Sequence, residues 1–205
     1  GLTGWTSVGT TGFSDLGGAS YTNLAIDNSD SLWVAYKEMG NGKVVVRKFD
    51  GTNWNVVGAA FSVGTAEFVA LDLNSSGVPY VAYRDGTNGR LSVKMLSSGS
   101  WVDVGPTFVT AGSIHLTARI SMDFDGTTPY VAYRETNGKL SVIKYSGSAW
   151  TSVGGVFTDS TDYTNLVVSG GTPFVTYMDI SAGKKATVKK FDGTSWVTVG
   201  SAGFS

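Results

Sequence analysis

A tryptophan-led phrase, W-x-x-V-G, occurs five times in this chain at nearly constant spacing. The copies begin at Trp5, Trp54, Trp101, Trp150 and Trp196, so successive copies are 49, 47, 49 and 46 residues apart. A phenylalanine follows each tryptophan after seven or eight residues. Such a period indicates a repeat architecture in which each unit must stack on its neighbours to bury a core.

Each repeat contains four short segments that are typical of β-strands. One phrase is spelled almost identically twice, as VPYVAYRDGTNGRLSV (78–93) and TPYVAYRETNGKLSV (128–142). The segments are rich in Val, Tyr, Phe and Thr and are bounded by Gly, Asn, Asp and Ser, as in antiparallel hairpins. Asn-Gly pairs at 41–42, 88–89 and 137–138 permit the positive φ angles of hairpin turns. No segment shows a helical period, so the chain is predicted to be all-β.

Four strands in about 47 residues resemble the blade of a β-propeller. We therefore predict one β-propeller domain over residues 1–205, built from four antiparallel four-stranded blades. The predicted blades span residues 21–57, 68–104, 117–153 and 163–199. Because propeller blades stack face to face, both faces of the inner strands are buried, which explains the continuous apolar run YVAY.

The two ends of the chain carry the same phrase. WTSVGTTGFS (5–14) duplicates WVTVGSAGFS (196–205), so residues 5–8 are predicted to form an extra outer strand. Three arrangements are compatible with it: a closed four-bladed monomer, two chains sharing one eight-bladed ring, or part of a longer array. We expect the closed monomer, because closure removes exposed sheet edges, and a dimer sharing one ring is the alternative.

The repeat tryptophans have two interpretations. Each can begin the outermost strand of a blade and pack across its hairpin, which buries a large aromatic surface. An exposed repeat tryptophan could instead stack on a sugar ring. We expect the structural role for all five.

Composition excludes several function classes. The net charge of −1 gives no electrostatic reason to expect nucleic acid as a partner, and no apolar run is long enough to insert into a membrane. The chain has no cysteine and a single histidine, His115, which lies between Ile114 and Leu116 and is expected to pack rather than react. We therefore expect no metal, no cofactor and no catalytic site.

Charged residues recur at the end of the second strand of each unit. Acids occupy one equivalent position, at Glu38, Asp85, Glu135 and Asp179. A base precedes three of them, at Lys37, Arg84 and Arg134. One interpretation is turn chemistry, in which the acid accepts backbone N–H groups. The other is a ring of acids and bases that binds sugar hydroxyls, and these seven residues are the candidate ligand-binding set.

The candidate set lies on the face that also carries the longest and most divergent loops. They are TTGFSDLGGAS (10–20), AAFSVGTAE (59–67), PTFVTAGSIHL (106–116) and GVFTDSTD (155–162). We call this the loop-rich face. Function on rigid scaffolds concentrates in such loops.

Three resemblances to known propellers follow from short motifs. KFDGTNW (48–54) and KFDGTSW (190–196) resemble the Asp-box of sialidase-type propellers, although glycine directly follows the aspartate and two units lack it. NGKVVVRKFDGTNW (41–54) is similar to the blade of fucose-binding propeller lectins, without their third-strand glutamate. The pattern W-x-x-V-G…PYVAY-R-D resembles β-propeller repeats of exported bacterial surface proteins.

These resemblances imply a non-catalytic binding module of an exported or cell-surface bacterial protein, which recognises a glycan or a protein through its loop-rich face. The alternatives are a glycoside hydrolase-type propeller with paired carboxylates and a structural spacer in a longer array. An extracellular location is expected, although no signal peptide precedes GLTGW in this segment.

Overall fold

The computed structural model describes residues 4–117, 119–157 and 161–205. Those residues form sixteen β-strands, arranged as four antiparallel four-stranded sheets whose strands follow chain order. The predicted all-β class and the four-stranded units are confirmed. Each sheet is one blade.

The strand bounds define the blades. Blade 1 contains β1 (Ala19–Ile26), β2 (Leu32–Glu38), β3 (Val44–Phe49) and β4 (Trp54–Val56). Blade 2 contains β5 (Ala66–Leu73), β6 (Pro79–Asp85), β7 (Leu91–Ser97) and β8 (Ser100–Asp103). Blade 3 contains β9 (Ser121–Asp125), β10 (Thr128–Arg134), β11 (Leu140–Tyr145) and β12 (Trp150–Ser152). Blade 4 contains β13 (Thr161–Ser169), β14 (Thr172–Asp179), β15 (Lys185–Phe191) and β16 (Trp196–Thr198).

The hairpins between second and third strands depend on their glycines. Gly42 and Gly89 have φ angles of 72° and 70°, in the left-handed region that glycine adopts without cost. A Cβ at Gly42 would also lie 3.1 Å from the hydroxyl of Thr65 in the loop that leads to blade 2. The Asn-Gly pairs therefore set both the turn and a close approach between blades.

The core lies between consecutive blades. The first strands contact one another in the order β1, β5, β9, β13. Blade 1 packs on blade 2 through residues that include Ala35 and Val81, and blade 3 packs on blade 4 through residues that include Ala132 and Val175. Ala35, Val81 and Ala132 are completely buried, because the alanines let the next sheet approach closely.

The expected closed four-bladed ring is not formed by the described residues. Leu24 on blade 1 is 60% exposed and Val167 on blade 4 is 50% exposed, so the two ends of the stack leave apolar faces uncovered. The four blades form an open arc. The prediction of closure was wrong, since the apolar faces at the two ends of the stack do not cover each other.

The predicted extra outer strand is also absent at residues 5–8, which have no strand pairing, and Trp5 is fully exposed. The physical reason is that an outer strand needs a third strand to pair with, and no described strand precedes it. The part of the chain that the structure describes contains no helix with the length and apolar character needed to cross a membrane.

Candidate functional site

A cavity of about 590 Å³ lies where the four innermost segments of the blades approach one another near the loop-rich face. Residues from the start of β1, β5 and β13, and from the segment that leads into β9, line it. We call it the inner-strand pocket. The lining residues that matter below are Tyr21, Asn23, Phe68, Arg119, Tyr163 and Asn165.

Three aromatic residues hold one equivalent place in this pocket. Tyr21, Phe68 and Tyr163 each lie where the pairing of the first strand with the second shifts register. Their φ angles are 53°, 52° and 51°. A left-handed conformation is strained for bulky side chains and persists only when the surrounding structure enforces it, most often at functional sites. Three blades therefore hold the same strained aromatic position.

The aromatic rings form two partly exposed platforms. The ring centroids of Tyr21 and Phe68 are 4.9 Å apart. Across the pocket, the guanidinium of Arg119 lies 5.3 Å from the centroid of the Tyr163 ring. Tyr163 is 59% exposed and Tyr21 is 39% exposed, so both offer ring surface to a ligand.

Amides at matching positions stand beside the rings. The side-chain oxygen of Asn23 accepts the backbone N–H of Leu71 at 3.2 Å. That of Asn165 accepts the hydroxyl of Ser121 at 3.0 Å. These bonds reach from one blade to another and orient the amides at the pocket wall. The pocket thus combines apolar ring faces with a few oriented polar groups, as small-molecule sites do.

Of the three predicted bases, Lys37 and Arg134 contact residues that line this pocket and Arg84 does not. The ammonium of Lys37 is 5.8 Å from the centroid of the Tyr21 ring. Arg84 is buried, forms an ion pair with Glu67, the neighbour of Phe68, and donates to the carbonyl of Ile114 at 3.3 Å.

The third base, Arg134, reaches the wall near blade 4. It donates to the Thr117 hydroxyl at 3.2 Å and lies 3.8 Å from the Asp162 carboxylate. Lys37 and Arg134 thus adjoin the pocket lining, whereas Arg84 is held by Glu67 and Ile114 outside it.

The four predicted acids accept hydrogen bonds from their own hairpins and from neighbouring loops instead. Glu38 accepts the backbone N–H of Leu16 at 3.1 Å, and Asp85 accepts those of Gly64 and Asn88 at 2.5 and 2.8 Å. Burial raises the pKa of Asp85, but the hydrogen bonds from Asn88 and Gly64 outweigh it and leave the pKa below its usual value.

Glu135 and Asp179 follow the same arrangement. Glu135 accepts the hydroxyl of Ser141 at 2.6 Å, and Asp179 accepts the backbone N–H of Ala182 at 3.1 Å. The structure thus separates the predicted ring: the acids accept hydrogen bonds from turns and loops, and the bases contact other side chains and carbonyls, with only Lys37 and Arg134 next to residues that line the pocket. A ligand-binding role for either group stays a prediction.

The repeat tryptophans occupy the outer strands. Trp54, Trp150 and Trp196 begin β4, β12 and β16, and their rings contact Phe49, Tyr145 and Phe191 across the hairpin at centroid distances of 5.2, 5.3 and 5.6 Å. Trp101 is the second residue of β8. Trp5, outside any strand, differs from the other four.

His115 lies beside the pocket, and burial together with the Arg134 charge lowers the pKa of its imidazole. Among residues 4–117, 119–157 and 161–205, no group of three or more potential metal ligands occurs.

Sequence reasoning missed the aromatic positions of the pocket. A usable signal was present, because YTNL occurs at both 21–24 and 163–166, at the same point of two repeats. The register shift that turns Tyr21 and Tyr163 into the pocket has no counterpart in sequence periodicity, since strand alternation assumes a regular ladder.

Comparisons with known proteins agree with this fold. No protein-family model matches the chain, and no curated protein matches it. Several solved structures do match the chain. A fungal lectin from Aleuria aurantia, described as a six-bladed β-propeller with a novel mode of fucose recognition, matches with a TM-score of 0.65 at 16% identity over 88% of this chain and 62% of that chain.

Two further solved structures are similar. SapL1 lectin in complex with α-methyl fucoside matches with a TM-score of 0.69 at 18% identity, over 90% of this chain and 64% of that one. A sialidase, Hadza microbial sialidase Hz136, matches with a TM-score of 0.60 at 14% identity, over 90% and 47%. The chain spans just under two thirds of the length of both lectins, and the likeness shows a propeller fold.

Proposed function

We propose that this protein is a non-catalytic carbohydrate-binding propeller module that takes its ligand in the inner-strand pocket. The observation that carries the proposal is the pair of aromatic platforms, Tyr21 with Phe68 and Arg119 with Tyr163, whose three aromatic residues stand on strained bulges around a cavity of about 590 Å³. The lectin neighbours, whose descriptions name fucose or a fucoside, support a sugar as the ligand class.

The chemistry of the pocket suits a sugar. The apolar face of a pyranose can lie on an aromatic ring, which supplies contact area at low entropic cost. Hydroxyl groups need paired donors and acceptors, and Asn23, Asn165, Asp162 and Arg119 provide amide, carboxylate and guanidinium groups in the lining. A neutral hydroxylated ligand fits this mixture better than a polyanion does.

We extend the proposal to location and partners. The sequence likeness to exported bacterial surface repeats supports action outside the cell or at its surface. The balanced charge of the chain supports neither nucleic acid nor anionic membrane as a partner. A protein ligand on the loop-rich face is the alternative partner.

A glycoside hydrolase is the second candidate, and the sialidase neighbour is the observation that favours it. Hydrolysis needs two carboxylates placed on either side of a scissile bond. The predicted carboxylates Asp85 and Glu135 instead accept hydrogen bonds from turn residues Asn88 and Asn137. The geometry therefore favours binding over hydrolysis.

A glycan array followed by calorimetry with α-methyl fucoside tests the proposal. Tyr163→Ala and Arg119→Gln should each weaken sugar binding at least tenfold without lowering the melting temperature by more than a few degrees. Trp5→Ala removes an exposed aromatic side chain outside the pocket and should leave binding unchanged. Full binding by both pocket variants, a blank array, or turnover of fluorogenic glycosides would each contradict the proposal.

A further inference from the structure

The apolar face of blade 1 that points away from blade 2 carries the residues of an inter-blade junction. Leu24, Leu71 and Leu166 hold the same register position, each paired with a valine of the second strand. Leu71 and Leu166 are 5% and 3% exposed because a preceding blade covers them, whereas Leu24 is 60% exposed. Ile26, two residues on, is 58% exposed. Blade 1 thus exposes the apolar surface that packs against a preceding blade at the internal junctions.

Blade 4 exposes the opposite side of such a junction, which is the surface that packs against a following blade. Ala82 with Val93 on blade 2, and the equivalent pairs on blades 1 and 3, are at most 1% exposed beneath the following blade. Thr176 and Val188 form the same cross-strand pair on blade 4 and are only partly buried. Val167, which faces the same way, is 50% exposed.

A recurring hydrogen bond marks each complete junction. The indole nitrogens of Trp101, Trp150 and Trp196 donate to the carbonyls of Val57, Val104 and Val153, each in the W-x-x-V-G phrase of the preceding blade, at 2.7–2.9 Å. The equivalent carbonyl after blade 4 is that of Val199, to which no tryptophan of the described residues donates.

The phenylalanine after the phrase shows the same contrast. Phe61 contacts Tyr83 and Trp101 of the next blade, whereas the corresponding Phe204 is 59% exposed. Its backbone is already docked in the repeat manner, since Phe204 N–H donates to the Ala186 carbonyl as Phe61 N–H donates to that of Val44. Blade 4 therefore exposes the Phe204 side chain where the equivalent Phe61 packs against the following blade.

Residues near the start of the described chain already make the junction contacts on blade 1 that a preceding blade makes elsewhere. Trp54 donates to the Val8 carbonyl at 2.9 Å, and the Phe13 ring stacks on Trp54 with centroids 4.9 Å apart. Residues 8–13 thus occupy on blade 1 the place that the phrase of a preceding blade takes elsewhere. Trp5, just before them, is fully exposed at the position of that blade's outer strand.

Stacked repeats that end in solvent normally carry a polar outer face. Here both outer faces keep the leucine, valine and phenylalanine of the internal junctions. We propose that blades 4 and 1 dock two further blades of this same W-x-x-V-G repeat, which complete a six-bladed ring, and that Trp5–Val8 forms the outer strand of the last blade. The number rests on the six-bladed lectin, of which these four blades cover 62%.

An extended chain tests this inference. Because the final GFS (203–205) repeats GFS at 12–14, a second copy of residues 15–97 can follow Ser205 in register. It adds one complete blade and three strands of another, and leaves the last outer-strand place for Trp5–Val8. We expect the extended chain to be a monomer by light scattering and to melt several degrees above the 205-residue protein. We also expect Trp5 to be protected from iodide quenching, and the contribution of Trp5 is isolated by comparison with the Trp5→Phe variant of each chain.

One substitution separates docking from a general gain in stability. Leu24→Asp should change the melting temperature of the 205-residue protein by less than about 2 °C, since Leu24 is exposed there, but should abolish the gain of the extended chain. Val63→Asp, at a loop valine that is 53% exposed, is the matched control and should have little effect in either.

Three results would overturn the inference. The first is that iodide quenches Trp5 in the extended chain as strongly as in the 205-residue protein. The second is that Leu24→Asp lowers the melting temperature of both chains equally. The third is a stable dimer of the 205-residue protein that protects Leu24, which would make the occupant a second copy. If the extended chain is insoluble, a copy of residues 109–195 placed directly before Trp5 gives a second six-bladed arrangement. Failure of this arrangement to protect Trp5 would also overturn it.

Discussion

The indole nitrogen of Trp101 donates a hydrogen bond to the carbonyl oxygen of Val57, 44 residues earlier in the chain, at 2.9 Å. The bond joins the outer strand of blade 2 to the end of blade 1, and it recurs at each junction between described blades. W-x-x-V-G is therefore a phrase with two functions, because its tryptophan binds the blade before and its valine carbonyl binds the blade after.

Trp101→Phe should lower the free energy of unfolding by about 1 kcal/mol, the net value of one such hydrogen bond. The loss should appear as a melting temperature lower by roughly 2–4 °C for a protein of this size. Trp5→Phe is the control and should change nothing, since Trp5 is fully exposed and belongs to no strand. Equal effects at the two positions would contradict the junction role.

The amino-terminal segment should divide into a dispensable and an indispensable part. Deleting residues 1–7 should leave the melting temperature nearly unchanged. Deleting residues 1–14 removes the Val8 carbonyl that Trp54 binds and the Phe13 ring that covers Tyr36, and should lower it markedly. Thermal unfolding monitored by circular dichroism distinguishes the two truncated proteins. Equal stability of both truncations would show that residues 8–13 do not support blade 1.

Asp72 should make the protein less stable as the pH rises through about 6. Burial, with a smaller contribution from neighbouring Asp123, raises the pKa of Asp72 from 3.8 to about 6. The folded protein therefore favours protonated Asp72, so this contribution is complete below pH 4 and is lost as pH rises through 6.

The Asp72→Asn variant measures that contribution. It should stabilise the protein at pH 8 by roughly 1–3 kcal/mol and have little effect at pH 4. Asp30→Asn, at an exposed turn position, should be neutral at both values. A pH-independent effect of Asp72→Asn would show that burial does not shift this carboxyl.

The turn role of the repeat acids predicts acid sensitivity of the opposite sign. Asp85 has a lowered pKa and is completely buried, so its contribution is present above its ordinary value of 3.8 and is lost as pH falls below it. Asp85→Asn should destabilise the protein at pH 7 and flatten the loss of stability on acidification. Chemical denaturation at pH 7 and 3 measures both, and undiminished stability at pH 7 would favour a ligand role for this acid.

Much of the blade could be predicted from the sequence, because local patterns determine it. The strand-forming apolar runs such as YVAY, and the positive φ angles that Gly42 and Gly89 supply, depend only on neighbours a few residues away. The repeat of Trp54, Trp101, Trp150 and Trp196 gave the number of blades for the same reason. The phenylalanine after blade 2 is an instructive exception, since Val109, not Phe108, makes the backbone hydrogen bond to Leu91 that corresponds to the bond of Phe61 with Val44.

The candidate site was predicted only in part. The repeat position of Lys37 and Arg134 places them beside residues that line the pocket, whereas Arg84 binds Glu67 and Ile114. Nothing local distinguishes these bases from Glu38 or Asp85, which accept backbone N–H groups. Tyr21 and Tyr163 were missed because their role depends on a bulge that alters the direction of the side chain.

The sequence by itself determined the strands, their hairpins and the stacking of one blade on the next, all of which rest on short-range pattern and on contacts repeated in each unit. Only the tertiary structure decided whether the stack closes, and that Tyr21 and Tyr163 line one pocket. Closure depends on a rotation summed over all blades, and the pocket depends on strands about 140 residues apart. Identical local phrases, such as those that begin at Trp5 and Trp150, therefore end in opposite environments, one exposed to solvent and one packed against Tyr145.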